Sequence, residues 1–174
     1  MESTIALSRR LAYKLRHSSL PDRKGWVSID VILKELSITA DELHQIVAND
    51  NKGRFDYSKD RLSVRALYGH SIDVDLELEP VAPPATLYHG TAEKYIAAIM
   101  QEGLKPKKRK FVHLSETLEM AEQVGSRHGT PIVLSIDTEA MQQNGCQFYK
   151  AQNGIWLTGS IPTRYLKIID INPQ

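Results

Sequence analysis

The stretch SIDVDLELEPVAPPATLY, residues 71–88, most constrains what this chain can fold into. It is acidic first and then punctuated by Pro80, Pro83 and Pro84. Proline removes a backbone donor and drives the preceding residue to extended geometry, so neither a helix nor a central strand runs through it. Residues 77–85 read as a linker, leaving residues 1–76 and 86–174 each to bury its own core. With 174 residues in all, each part is the size of a small domain. Hydrophobic residues make up 41%, enough for folded cores. No apolar run approaches the roughly 20 residues of a membrane span.

The two parts differ in rhythm. In the first, Ile5, Leu7, Leu11, Ala12 and Leu15 give a helical stripe ending near Pro21. WVSID reads as a short strand. DVILKEL reads as a helix with Asp30 as its N-cap, and TADELHQIVAND as a helix capped by Thr39. RFDYS and RLSVRAL then alternate around a polar turn, as a hairpin does. Three short helices followed by a hairpin resemble a winged helix. After the linker, strands and helices alternate: TLYHGT, AEKYIAAIMQEG, KFVHLS, TLEMAEQVGSRHG and PIVLSID, then a short helix and the strands QFYKA, GIWLTGSI and YLKIIDI. The expected class is α+β, with the second lobe built on a mixed sheet.

Charge is informative through its placement. The formal net charge is only +1, so any anion site must come from local clustering. Arg16 and His17 stand together at a helix end, Arg65 lies in the second hairpin strand, and Arg127 precedes a buried-type strand. Arginine suits phosphate because its planar fork donates parallel hydrogen bonds. Taken singly, each is equally a solvated surface residue. KPKKRK, residues 105–110, reads either as a contact to a nucleic-acid backbone or as a solvated loop. His70 and His128 read as structural or exposed. YHGT and VHLS each end a strand before a helix, where free amides favour ligands. Gly90 permits close approach, while Thr91 and Ser115 could cap helices or bind a hydroxyl. The alternative is two buried histidines, His89 and His113, with two ordinary caps. Cys146 is the only cysteine, which excludes an internal disulfide and fits a reducing compartment; the cytoplasm is expected. MESTIALSRRLAYK lacks a basic stretch before an apolar core, so no secretory leader is expected.

In order along the chain, LRH, VRALYGHS, PPATLYHGT, VHLS, VGSRHG and NGIWLT resemble the NAD-dependent RNA 2′-phosphotransferases. These are tRNA 2′-phosphotransferase-like enzymes, whose usual substrate arises in tRNA splicing. The resemblance runs from about Ser8 to Ile169. It implies a winged-helix RNA-binding lobe and an ADP-ribosyltransferase-like NAD-binding lobe. It implies catalytic roles for Arg16, His17, Arg65 and Arg127, converging on the RNA phosphate. It places His89, Gly90, Thr91, His113 and Ser115 in an NAD⁺ pocket, with NAD⁺ consumed as a co-substrate. No metal, no membrane and a monomer are expected. One departure is Phe111, where family members commonly carry histidine or tyrosine.

The implied reaction removes an internal 2′-phosphate from RNA by way of an ADP-ribosylated RNA 2′-phosphate. It yields 2′-hydroxyl RNA, nicotinamide and ADP-ribose 1″,2″-cyclic phosphate. A phosphate monoester is largely dianionic near neutral pH, so it attacks without a general base. What it needs is orientation and counter-charge, which accounts for a site rich in arginine and poor in carboxylates. Expelling the RNA 2′-oxygen benefits from a proton donor, and His17 suits that role. The rivals are an ADP-ribosyltransferase acting on another phosphate end or on protein, and a non-catalytic nucleic-acid-binding module. Many protein-modifying members place a glutamate on a late strand, where this chain has Ile155 and Trp156.

Overall fold

A leucine at every fourth position organises the first helix. The computed structural model describes residues 2–151 and 154–169. Asn153 of the expected NGIWLT strand, and Asp170 and Ile171 of YLKIIDI, lie outside the described residues. The chain divides into two units, Met1–Leu78 with Lys108–Lys110, and Glu79–Lys107 with Phe111–Gln174.

In the first unit, Ser3 Oγ accepts from the Ala6 amide at 3.2 Å and starts α1 (Thr4–His17). Leu7, Leu11 and Leu15 are buried on one face. Ile5 belongs to the expected stripe but is 68% exposed. It stands two residues from Leu7, about 200° around the helix, so it faces away. β1 (Val27–Ser28) leads directly into α2 (Ile29–Leu36). The pairing of Ser28 with Ser63 holds the strand until the helix begins, so Ser28 is the N-cap. Asp30, expected to cap, instead sits in the first turn, where its charge favours the helix N-terminus. Thr39 caps α3 (Ala40–Ala48) through a reciprocal capping box with Glu42.

The expected hairpin forms as β2 (Phe55–Tyr57) and β3 (Ser63–Ala66), giving an antiparallel sheet of order β1-β3-β2. Val64 and Ala66 are fully buried, and strand alternation turns Arg65 to the other face. The core joins Leu11, Leu15, Ile32, Leu36, Leu43 and Val64. The acidic stretch obeys the same period-two rule. Val74 and Leu76 are buried while Asp73, Asp75 and Glu77 stay exposed.

The second unit contains β4 (Thr86–Ala92), α4 (Glu93–Glu102), β5 (Val112–Ser115), α5 (Leu118–Ser126), β6 (Pro131–Asp137) and α6 (Thr138–Gln143). β7 (Phe148–Lys150), β8 (Ile155–Thr158), a 3-10 turn (Thr163–Tyr165) and β9 (Leu166–Ile169) follow. The strands make one antiparallel sheet of order β7-β8-β5-β4-β6-β9. Leu87, Leu114, Leu134, Ile136, Met141, Phe148 and Trp156 form its core.

Its central pairing is unusual. β4 pairs with β6 along its whole length and β5 pairs with β8 likewise, but β4 and β5 share only the pair Tyr88–Ser115. Two three-stranded halves therefore meet at one point. α5 lies tightly over β4, because a side chain on Gly90 would overlap the Ala121 carbonyl and one on Gly125 would come within 2.5 Å of the Thr91 oxygen. The two glycines allow backbone to touch backbone. Among the described residues, no helix is long and apolar enough to cross a membrane.

Candidate active site

Helix α1 ends at His17, which puts Arg16 and His17 in its last turn as the LRH reading expects. The Ser71 amide donates to the Arg16 carbonyl at 3.0 Å, so residues after the hairpin fold back onto this helix end. The His17 Nδ1 and Ser71 Oγ are 2.8 Å apart, which fixes the ring. Arg16 lies over the Tyr68 ring at 5.0 Å, and Arg65 over the Trp26 ring at 4.3 Å. Arg65 Nη1 also donates to the Lys24 carbonyl at 3.3 Å.

The histidine of VRALYGHS is the centre of this arrangement. His70 is 3% exposed, and Arg16, His17, Arg65 and Lys110 all act on it electrostatically. Burial first, and then these cations, push its pKa down to about 4. It is a neutral imidazole at physiological pH. Arg16 is likewise pushed down to about 10, chiefly by burial, with Arg109 and Arg54 adding repulsion. Burial lowers the His17 pKa, and Arg109 and then Arg16 lower it further.

The atoms that lack partners define the site. Arg16 Nε and Nη2, Arg65 Nε and His70 Nε2 are buried without a hydrogen-bond partner. Leaving a buried donor unmet costs about 1–3 kcal/mol, more for a charged group. Among the described residues, no carboxylate pairs with Arg16, Arg65 or Arg109. Buried cations with unmet donors and no acid partner are arranged for an anion that carries several acceptor oxygens.

Arg109 is the residue that sequence reasoning missed. KPKKRK was left open between a nucleic-acid contact and a solvated loop, and the structure packs Lys108–Lys110 with the first unit. A side chain on Gly69 would meet Arg109 Nη1 at 2.9 Å and Arg16 Cζ at 3.1 Å, so both guanidiniums lie over the same glycine.

The second unit carries the other candidates. His89 Nδ1 lies 2.9 Å from the His113 carbonyl. A carbonyl only accepts, so this nitrogen carries the proton. Burial lowers the pKa of His89, and the neutral ring therefore keeps a lone pair on Nε2. Thr91 and Ser115 are buried, and neither caps a helix. α4 begins at Ala92 without a side-chain cap, and Thr117 caps α5. Gly90 is explained by the close packing of α5. Phe111 packs against Tyr149 with ring centroids 5.5 Å apart and planes tilted by 53°. Near Trp156 a carboxylate does stand: Glu116, which accepts from the indole at 2.8 Å and pairs with Lys150 at 3.6 Å. Arg127 is the C-cap of α5, exposed, and without a side-chain partner among the described residues.

Residues 2–160 match the model of the family described as RNA 2′-phosphotransferase, Tpt1 / KptA family. The chain belongs to that family. Its relatives cover it nearly end to end. A probable RNA 2′-phosphotransferase of Hahella chejuensis is 44% identical over 96% of this chain and 95% of its own. One from Streptomyces coelicolor is 42% identical, covering 95% of this chain and 96% of its own. One from Fusobacterium nucleatum is 39% identical, covering 96% and 99%. Family membership makes the chain an enzyme of the RNA 2′-phosphotransferase type.

Proposed function

We propose that this enzyme removes an internal 2′-phosphate from RNA by transferring it to NAD⁺, which is consumed as a second substrate. The observation that carries the reading is the set of buried, unpartnered guanidinium nitrogens around a neutral histidine, with no acid paired to them among the described residues. On this reading the first unit is a winged-helix lobe that binds RNA, and the second is an ADP-ribosyltransferase-like lobe.

Arg16 and Arg65 would hold the dianionic phosphate and orient its oxygens, each guanidinium donating from a fixed plane. His17 sits beside them on a ring fixed by Ser71. Its lowered pKa makes the free ring neutral, and a bound dianion would draw a proton back onto it. It would then donate that proton to the departing RNA 2′-oxygen. Arg127 would add counter-charge. NAD⁺ would supply an activated ribose carbon, because nicotinamide leaves as a neutral base. The groups at the β4–β5 seam suit the hydroxyl-rich ribose and amide parts of such a ligand. His89 Nε2 would accept from a ligand N–H or O–H, and the buried hydroxyls of Thr91 and Ser115 would complete its contacts, beside Gly90 and His113.

The test is product analysis with an oligoribonucleotide carrying one internal 2′-phosphate. In the presence of NAD⁺, dephosphorylated RNA, nicotinamide and ADP-ribose 1″,2″-cyclic phosphate should appear together. Release of inorganic phosphate without NAD⁺ would sink the proposal.

A further inference from the structure

The basic stretch 105–110 ends in a residue that is firmly held. The Lys110 amide donates to the His70 carbonyl at 3.1 Å, and its Nζ donates to the Val74 carbonyl at 2.5 Å. The same ammonium lies 3.6 Å from Asp73. These contacts tie the loop to the first unit and carry Arg109 over Gly69, against Arg16. Arg109 remains exposed as a residue, while crowding at its guanidinium desolvates it and lowers its pKa. Two guanidiniums over one glycine, with no acid between them, repel each other until an anion arrives.

The chemistry of an internal 2′-phosphate says which anion. Such a group is never alone: the adjacent ribose carbon carries the 3′-phosphodiester that continues the chain. The pair brings a monoester of about −1.5 to −2 and a diester of −1 into one small volume. The monoester is a terminal group whose oxygens could meet the unpartnered Arg16 and Arg65 donors. The diester must lead out to solvent and needs an exposed cation. Arg109 is exposed and lies over Gly69 beside Arg16.

Resting on the function proposed above, we infer that Arg109 binds the 3′-phosphodiester flanking the 2′-phosphate, and so favours internal over terminal 2′-phosphates. Arg109 makes no ion pair among the described residues, so its replacement breaks none.

Three labelled oligoribonucleotides test this by fluorescence anisotropy. One carries an internal 2′-phosphate, one a 2′-phosphate on the last nucleotide with a free 3′-hydroxyl, and one no 2′-phosphate. Arg109→Ala should weaken binding of the internal 2′-phosphate by about tenfold or more, the worth of one charge-assisted hydrogen bond. It should leave the terminal 2′-phosphate within about twofold. The salt slope for the internal ligand should fall by about one phosphate contact. Arg109→Lys, which keeps charge but loses the fork, should fall between. Equal loss on both phosphorylated oligonucleotides, or loss on neither, overturns the assignment. Wild-type protein that binds all three alike would instead refute the proposed function.

Discussion

His70 provides a stability test that involves no substrate. Its imidazole is 3% exposed and surrounded by cations, with a pKa pushed down to about 4. In the unfolded chain the ring titrates near 6.5. Between these values the unfolded state binds a proton that the folded state refuses. Stability therefore falls as pH falls, being complete above about 6.5 and lost by about 4. At about 1.4 kcal/mol per pH unit, the interval corresponds to about 3 kcal/mol. Burial is nearly complete, so solvent screening takes little from this figure. Carboxylates also titrate in acid, so the contribution must be isolated by replacement. His70 Nε2 has no hydrogen-bond partner, so His70→Gln removes the titratable ring without breaking a bond at that nitrogen. Urea unfolding of both proteins at about pH 7.5 and about pH 4 gives two pH-dependent losses. The loss in wild type should exceed that in His70→Gln by about 3 kcal/mol. Equal losses would show that His70 titrates normally, and the cationic cluster would lose its centre.

Two further outcomes follow from the same geometry. His17→Ala should slow the second step, in which the RNA 2′-oxygen departs, more than the first transfer, so that an NAD⁺-dependent, slower-migrating ADP-ribosylated RNA accumulates on a gel; turnover at the wild-type rate without that band would remove His17 from the chemistry. Gly90→Ala places a methyl group against the Ala121 carbonyl and should destabilise by about 1–3 kcal/mol or more, read as a lower urea midpoint; an unchanged midpoint would mean that α5 does not press on β4 as described.

What the sequence revealed depended on distance along the chain. LRH sits where a helix ends and Arg65 where a strand alternates, and both are local properties. The two histidine-bearing strands were legible for the same reason. Ile5 and Asp30 went astray within single elements, one through helical phase and the other because β1 runs into α2 without a loop. The parts played by Arg109 and His70 in the cationic cluster were not legible. A run of lysine and arginine reads alike whether solvated or docked, and only a contact from Lys110 to Val74, 36 residues away, distinguishes them. The depressed pKa of His70 likewise needs cations gathered from α1, β3 and the 108–110 stretch. Glu116 reached Trp156 across 40 residues, which no spacing rule anticipates.

The seam between β4 and β5 changes what mutation can do there. In an ordinary sheet interior, neighbouring strands use up one another's peptide groups. Here a single pair joins the two halves, so the main chain beside it is not paired across the seam. Every residue except proline supplies the same amide, so a surface built from peptide groups tolerates side-chain drift. Its weak points lie elsewhere, in the parts that keep the strands apart and rigid. The His89 ring against the His113 carbonyl is one, and the glycine contact beneath α5 is another. Variation should therefore be punished first at these supports. A deep mutational scan would register these supports as brittle even where no substitution touches a bound molecule.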